Sequence, residues 1–437
     1  VNLPHLKPFL ITVVSSCLLP AGFIRAESAV VPAARVAIVG DSITEQKLYS
    51  KFLESYLLAC SGVPDVKVMQ FGWGGERADG FANRAENDLA AFRPTVVTLC
   101  YGMNDGGYQP WREEIGAGYE KNMRNVLAKL DQLGVKSVVV GSPGAVDTNF
   151  FRPGQKMGEQ PSHVAYNDTL AHLRDIDRKL AEEKHQRFAD VHAAMVDAMK
   201  KANETLGPKY DVCGGDGFHP GPNGQLLMAY AFLKGLGVDG TIGEIAIDMS
   251  GGQGTATTPS KGHSVVTESR ADGKATIEVE SSRWPFCFEG DGASSGSTRS
   301  ILPFVAFNQD LNRFTLKVTG LKTPKAKVTW GGESREFTKE QLVAGINLPA
   351  EFSKTPFDLS FAKLQGAVAA KQGFETFMIK QIVTDFRNIP DIGTDAEVQA
   401  AAGTLTKKLM SRWEQLDKDA RAQLKPVKHT LLVESVQ

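Results

Sequence analysis

Between residues 34 and 240, short apolar runs alternate with longer stretches of helical periodicity. Residues 36–39, 66–71, 96–99, 137–140 and 187–189 are mostly β-branched and are bounded by Gly, Pro or Asp, which predicts five strands. Between the third and fourth, Ile115, Tyr119, Met123, Val126, Leu127 and Leu130 fall on one stripe, predicting a helix over 115–133 that stops at Gly134. Leu170, Leu173, Ile176 and Leu180 recur at three- and four-residue spacing and predict another over 164–183. Strands that alternate with helices imply an α/β unit, a parallel sheet covered on both faces. Functional groups are then expected at the carboxyl ends of the strands.

Past residue 240 the pattern changes. Residues 251–300 are rich in Gly, Ser and Thr, and 274–280 and 314–318 alternate in the strand manner. The stretch 325–330, Gly331-Gly332 and 334–337 predicts a hairpin across a glycine turn. Residues 245–352 are therefore expected to form a small β-rich unit. From about 356 helical spacing returns, with Phe361, Leu364, Val368, Phe374 and Ile379 as core candidates and a second helix over about 398–424. That gives a helical C-terminal segment over 353–437. Gly251-Gly252-Gln253-Gly254 lacks the Lys of a phosphate loop and is expected to be a linker.

The 437 residues, 42% of them hydrophobic, suffice for two or three globular units. Lys plus Arg (49) nearly cancels Asp plus Glu (50), with no long basic or acidic run, which speaks against nucleic acid or an anionic membrane as partner. The start is different. Lys7, the apolar run 9–14, Leu18-Leu19 and small residues near Ala26 predict a secretory signal over 1–26, hence export to periplasm or exterior without a transmembrane anchor after cleavage. Val14-Ser15-Ser16-Cys17 loosely resembles a lipoprotein signal, with simple cleavage the favoured reading. Cys60, Cys100, Cys213 and Cys287 then remain, in three pairings the sequence does not separate. Cys100, in an apolar run, is expected to be a buried thiol.

Candidate chemistry sits where the strands end. Gly40-Asp41-Ser42-Ile43 closes the first strand and places Ser42 on a strand-to-helix turn, beside backbone N–H groups able to receive an oxyanion. Gly-Asp-Ser alone occurs in many turns, since Gly supplies unusual angles and Asp and Ser cap helices. Phe71-Gly72-Trp73-Gly74-Gly75-Glu76 follows the second strand and Gly102-Met103-Asn104-Asp105 the third, offering N–H groups and an Asn amide. Asp216-Gly217-Phe218-His219-Pro220 lies before a helix over 223–236, so Asp216 and His219 share one loop. A serine hydrolase needs such a base and a group to orient it.

These four blocks, in this order and at these strand ends, resemble the SGNH or GDSL hydrolase family over roughly the first half of the chain. The resemblance implies a flavodoxin-like three-layer α/β/α sheet over 34–240 and hydrolysis of esters without metal or cofactor. Residue by residue it implies Ser42 as nucleophile, His219 as base, Asp216 as its partner, and Ser42 N–H, Gly75 N–H and the Asn104 side chain as oxyanion hole. Gly75 is preferred to Gly74 because a polar residue, Glu76, follows it. Exported family members include carbohydrate acetylesterases, so the expected substrate is a small ester or acylated carbohydrate. A short-chain lipase or thioesterase is the alternative within enzymes, and a carbohydrate-binding or cell-surface protein with an inactive hydrolase half is the alternative outside them. Trp73, Tyr101, Tyr108, Trp111 and Phe218 flank the blocks and are candidates for stacking on sugar, though core packing explains them equally well. Asp41 is expected to serve the turn rather than the reaction. Glu45 either lies at the mouth of the site or simply favours the helix start. The histidines at 163, 172, 185 and 192 carry no zinc pattern.

Overall fold

The computed structural model of the chain describes residues 27–147, 149–151, 161–251, 257–271 and 273–437. The signal expected over 1–26, Cys17 and positions 252–254 of the glycine linker lie outside the described residues.

Five parallel strands form the central sheet: β1 (Arg35–Gly40), β2 (Lys67–Gln70), β3 (Val96–Cys100), β4 (Ser137–Gly141) and β5 (Arg187–Ala189), in the order β2-β1-β3-β4-β5. Side-chain alternation explains why both faces must be covered. Val36 and Ile38 enter one core layer, while Ala37 and Val39 enter the other. The helices Tyr49–Ala59, Val191–Leu206 and Pro222–Leu236 cover the first layer. Ala78–Leu89 and Glu113–Gln132 cover the second, the latter through Tyr119, Met123, Val126, Leu127 and Leu130, the stripe its sequence predicts. Helix Ser162–Glu183 sends Leu170 to one layer and Leu173 and Leu180 to the other. The chain leaves β1 toward β2 on one side and returns to β3 on the other. In such a sheet the crevice beyond the carboxyl ends of β1 and β3 is where ligands bind.

Two further sheets follow. The strands β6 (Thr241–Asp248), β7 (Thr257–Pro259), β10 (Arg313–Thr319) and β13 (Ile346–Asn347) make one, in the order β13-β10-β6-β7. An antiparallel sheet, β12-β11-β14-β9-β8, is built from β8 (His263–Ala271), β9 (Lys274–Ser281), β11 (Lys325–Trp330), β12 (Glu333–Thr338) and β14 (Val427–Val436). The hairpin β11–β12 turns on Gly331 and Gly332, both at positive φ (61° and 83°), as the sequence predicts.

The segment 353–437 departs from its expected all-helical character. It does carry helices Asp358–Met378 and Ala396–Arg421, but its residues Val427–Val436 are β14, the middle strand of the antiparallel sheet. Leu431 and Val433 are fully buried there, paired with Ile277 and Ala275 on β9. Burial alternates along 429–433, with His429, Leu431 and Val433 inside, but the sequence His-Thr-Leu-Leu-Val carries no apolar alternation, and the partners of the strand lie about 150 residues earlier in the chain. Helix Asp358–Met378 lies against Tyr49–Ala59 and β2, so the C-terminal part of the chain reaches the catalytic sheet.

Among the described residues the four cysteines are buried and unbridged; the Cys100 thiol donates to the Ser142 carbonyl at 3.6 Å. Burial pushes each of these thiols well above its ordinary pKa. No helix among the described residues is long and apolar enough to cross a membrane.

Candidate active site

The turn after β1 is shaped by two local demands. Asp41 caps the short helix Ser42–Glu45, its Oδ1 accepting the Ile43 N–H at 2.9 Å. Gly72, arriving from β2, passes so close that a Cβ there would stand 2.3 Å from the Glu45 nitrogen, so only glycine fits. Asp41 thus serves the turn as expected. Burial, above all, pushes its carboxyl up to about 7, opposed by the Ile43 hydrogen bond.

Ser42 stands half-buried at the edge of the sheet, and the structure brings His219 and Asp216 to it. Ser42 Oγ lies 2.7 Å from His219 Nε2, and His219 Nδ1 lies 2.7 Å from Asp216 Oδ2. Asp216 Oδ1 accepts the N–H groups of Phe218 (3.1 Å) and His219 (2.9 Å), which fixes the loop that carries both residues. Partial burial on its own raises the Asp216 carboxyl, but the bonds from the His219 ring and from the two N–H groups outweigh it and leave the pKa below its ordinary value. The carboxylate therefore stays ionised where it faces the imidazole. Such a chain can pass the hydroxyl proton to the ring and stabilise the charge that results.

The second and third blocks converge on the same place. Asn104 Nδ2 donates to the Glu76 carbonyl at 3.1 Å and lies 3.5 Å from Asp41 Oδ2, while Asn104 Oδ1 accepts from the Tyr108 hydroxyl at 3.1 Å. One amide thereby ties all three strand-end loops. In the glycine segment, the Gly74 N–H donates to Glu45 Oε2, whereas the Gly75 N–H has no partner among the described residues. Gly75 sits at φ 71° with open space where a Cβ would be. The free donor is thus on Gly75, and the Gly74 N–H is spoken for.

Several residues that hold this geometry are not singled out by sequence. Glu76 is buried against Arg84, with bonds of 2.6 and 2.7 Å, and accepts the Tyr101 hydroxyl at 2.6 Å. Arg84 also donates to the Phe71 carbonyl (2.7 Å) and to Asp88 (2.9 Å), so the loop is pinned to the helix behind it. Asp105 accepts the N–H groups of Ala78 (3.0 Å) and Gly102 (3.1 Å); burial, chiefly, raises its carboxyl to about 6. The available signal was charge on the apolar face of the helix: Arg84 and Asp88 lie one turn apart among Phe81, Ala85 and Leu89.

The aromatic candidates divide. Tyr101 is completely buried, its ring stacked on Phe81 and its hydroxyl held by Glu76, so it is a core residue and not a substrate contact. Trp111 stacks on His172 of the helix Ser162–Glu183 at 4.3 Å, a packing contact. Tyr108 and Phe218 do stand at the site: their rings meet edge to face at 5.3 Å, and Phe218 touches the His219 ring at 4.3 Å. Tyr108 is held in the left-handed backbone region, φ 54°, between Phe151 and Tyr166. Trp73 is half-buried between Arg84 (5.1 Å) and Lys380 (4.9 Å), where it lines a shallow cleft of about 310 Å³ with Gly75 and Arg387. Glu45 is neither idle at the helix start nor free, since its second oxygen accepts from Lys380 Nζ at 2.7 Å.

Residues 38–227 match the GDSL-like Lipase/Acylhydrolase family. Among solved structures, BT4096, a gut microbial diltiazem-metabolizing enzyme, aligns with 94% of this chain and 100% of its own at a TM-score of 0.68 and 20% identity. Axe2, an acetylxylan esterase from Geobacillus stearothermophilus, aligns with 48% of this chain and 96% of its own at a TM-score of 0.39 and 23% identity. No curated protein sequence matches the chain. The alignment with BT4096 runs through the added sheets and C-terminal helices, so the whole architecture, and not only the parallel sheet, recurs elsewhere. Through residues 38–227 the chain belongs to the GDSL-like lipase/acylhydrolase (SGNH) family of ester hydrolases.

Proposed function

We propose that the protein is an exported serine esterase that removes short acyl groups, acetyl above all, from a carbohydrate or similar small ester. Ser42 Oγ attacks the ester carbonyl while His219 Nε2 takes its proton. The tetrahedral oxyanion is received by the N–H groups of Ser42 and Gly75 and by the Asn104 amide, which exchanges its long 3.5 Å contact with Asp41 Oδ2 for the oxyanion. Collapse expels the alcohol, which takes the proton back from His219, and leaves an acyl group on Ser42. Water, deprotonated by the same imidazole, then releases the acid and restores the serine. Asp216 holds the ring with its proton on Nδ1 and steadies the imidazolium.

The observation that carries this reading is the unbroken chain Ser42 Oγ, His219 Nε2, His219 Nδ1 and Asp216 Oδ2, with 2.7 Å at each contact between residues. The substrate class draws support from the half-buried rings of Phe218, against His219, and Trp73, two residues before Gly75, which are suited to a sugar face. Export rests on the signal pattern over 1–26. The test is hydrolysis of p-nitrophenyl acetate by the purified protein against Ser42→Ala, followed by release of acetate from acetylated oligosaccharides. Wild-type activity at least ~1,000-fold above the variant is expected. Equal rates would overturn the serine mechanism, and activity confined to long acyl esters would overturn the acetyl reading in favour of a lipase.

A further inference from the structure

We propose that Lys380 is a positioning residue for the oxyanion hole, so that the C-terminal part of the chain takes part in catalysis. This rests on the reading of the Gly75 N–H as an oxyanion donor. Lys380 belongs to the π-helical turn Ile379–Val383 that follows helix Asp358–Met378, a local widening often found where a helix serves function. Its Nζ is 2.7 Å from Glu45 Oε1 and 4.9 Å above the Trp73 ring. Glu45 Oε2 in turn accepts the Gly74 N–H. One ammonium thus grips both the residue before the Gly74-Gly75 pair and the carboxylate that binds the first member of it.

The consequence lies in what Gly75 lacks. It has no side chain and no hydrogen bond of its own among the described residues, and it sits at positive φ, so its N–H direction is fixed only by its neighbours. On the far side the loop is fastened by Glu76 to Arg84 and Tyr101. On the near side it is fastened by Gly74 to Glu45, and Glu45 keeps its place because Lys380 holds it. The pair is only partly exposed, 20% for Lys380 and 25% for Glu45, so the contact is less screened than one at the open surface. Lys380 also neutralises a carboxylate that would otherwise stand one residue from the developing oxyanion. Both effects act on the transition state and leave ground-state binding largely alone.

Steady-state hydrolysis of p-nitrophenyl acetate, with kcat normalised to active sites titrated by a phosphonate, tests this. Lys380→Met is expected to lower kcat by roughly 10- to 100-fold, short of the ~100- to 1,000-fold loss on deleting an oxyanion donor outright, with KM within about twofold. Lys380→Arg should restore most of the rate. Glu45→Ala should lower kcat at least as far, and adding Lys380→Met to it should cause far less than the additive loss, because the lysine acts chiefly through the glutamate and only its contact with Trp73 is left to lose. A purely structural lysine would reduce the melting temperature or the titrated fraction and leave kcat per site unchanged. If Lys380→Met fails to fold, Glu45→Ala and Lys380→Arg carry the same comparison. A kcat for Lys380→Met within twofold of wild type, with Ser42→Ala inactive, would overturn this inference alone. Full activity of Ser42→Ala would instead overturn the serine mechanism beneath it.

Discussion

Asp216→Asn is expected to harm catalysis more than Asp216→Ala does, although Asn is the closer mimic. Serine attack needs a bare His219 Nε2, the atom 2.7 Å from Ser42 Oγ, so the ring proton belongs on Nδ1, facing Asp216 Oδ2. Asp216 Oδ1 is already committed to two backbone N–H groups, at 2.9 and 3.1 Å. An Asn must keep its oxygen there, since flipping would set its NH2 against both donors and forfeit two hydrogen bonds of about 1 kcal/mol each. The NH2 then faces Nδ1, the ring proton moves to Nε2, and His219 can no longer accept from the serine. Ala imposes no such tautomer. The Asp216 side chain is 47% exposed, so water can replace it as acceptor for Nδ1–H. Loss of the charge-assisted bond costs about 1.5–3 kcal/mol, a ~10- to 150-fold fall in kcat/KM for Ala. The locked amide adds up to the ~2 kcal/mol needed to flip it, roughly a further 30-fold for Asn. Hydrolysis of p-nitrophenyl acetate at about pH 8, with folding checked by circular dichroism, measures both. An Asn variant as fast as the Ala variant, or both within threefold of wild type, would refute the tautomer argument.

Two further outcomes concern the buried charges. Lys371, fully buried, lies 2.9 Å from Glu54 Oε1 as an ion pair, contacts Glu375 and donates to the Val68 carbonyl at 2.7 Å. Lys371→Met should cost about 3–5 kcal/mol in urea unfolding, because two carboxylates lose their cation, and a loss under 1 kcal/mol would contradict this. For Asp41, burial raises the native carboxyl to about 7, so the folded state holds a proton that the unfolded chain has already released above about pH 4. Stability conferred at low pH is thus lost as pH rises through about 7. Asp41→Asn keeps an acceptor for the Ile43 N–H and abolishes that slope, gaining roughly 2–3 kcal/mol on wild type between about pH 5 and pH 8. A stability difference between the two that does not move with pH would count against it.

The catalytic sheet was legible because its signals are local. Val36 to Val39 alternate between layers, Gly40 and Asp41 carry turn and cap chemistry, and the four blocks each sit where a strand or loop must end. The placement of Tyr101 was legible too, by a rule not applied to it. Val97, Leu99 and Tyr101 share one parity and enter one core layer, while Val96 and Cys100 enter the other. Nearness to a motif says little about the direction of a side chain; strand parity says more. What sequence left dark are contacts whose partners are far apart in the chain. Glu45 meets Lys380 across 335 residues, and β14 pairs with a strand about 150 residues away. Each of those segments has a weak local pattern that acquires meaning only with its partner present.

Helix Asp358–Met378 links these observations, because it and the turn that follows it contact, one after another, three elements that follow the nucleophile. Lys371 pairs with Glu54, and Gln372 Oε1 accepts from the Ser50 hydroxyl at 2.7 Å, both on the helix Tyr49–Ala59. One turn further on, Glu375 Oε2 accepts the Gln70 N–H of β2 at 3.0 Å, and Glu375 Oε1 accepts the indole N–H of Trp413 at 2.7 Å. Beyond its end, Lys380 reaches Glu45, three residues after Ser42. The helix therefore runs toward the carboxyl edge of the sheet, fixed at two buried points before it delivers its last cation. Buried ion pairs are poor sources of net stability compared with apolar packing. They are, however, intolerant of slippage, since a shifted helix would leave Lys371, Glu54 and Glu375 unpaired in the core. A register held that tightly at Lys371 and Glu375 is what allows a lysine at the helix end to hold its place beside an oxyanion hole.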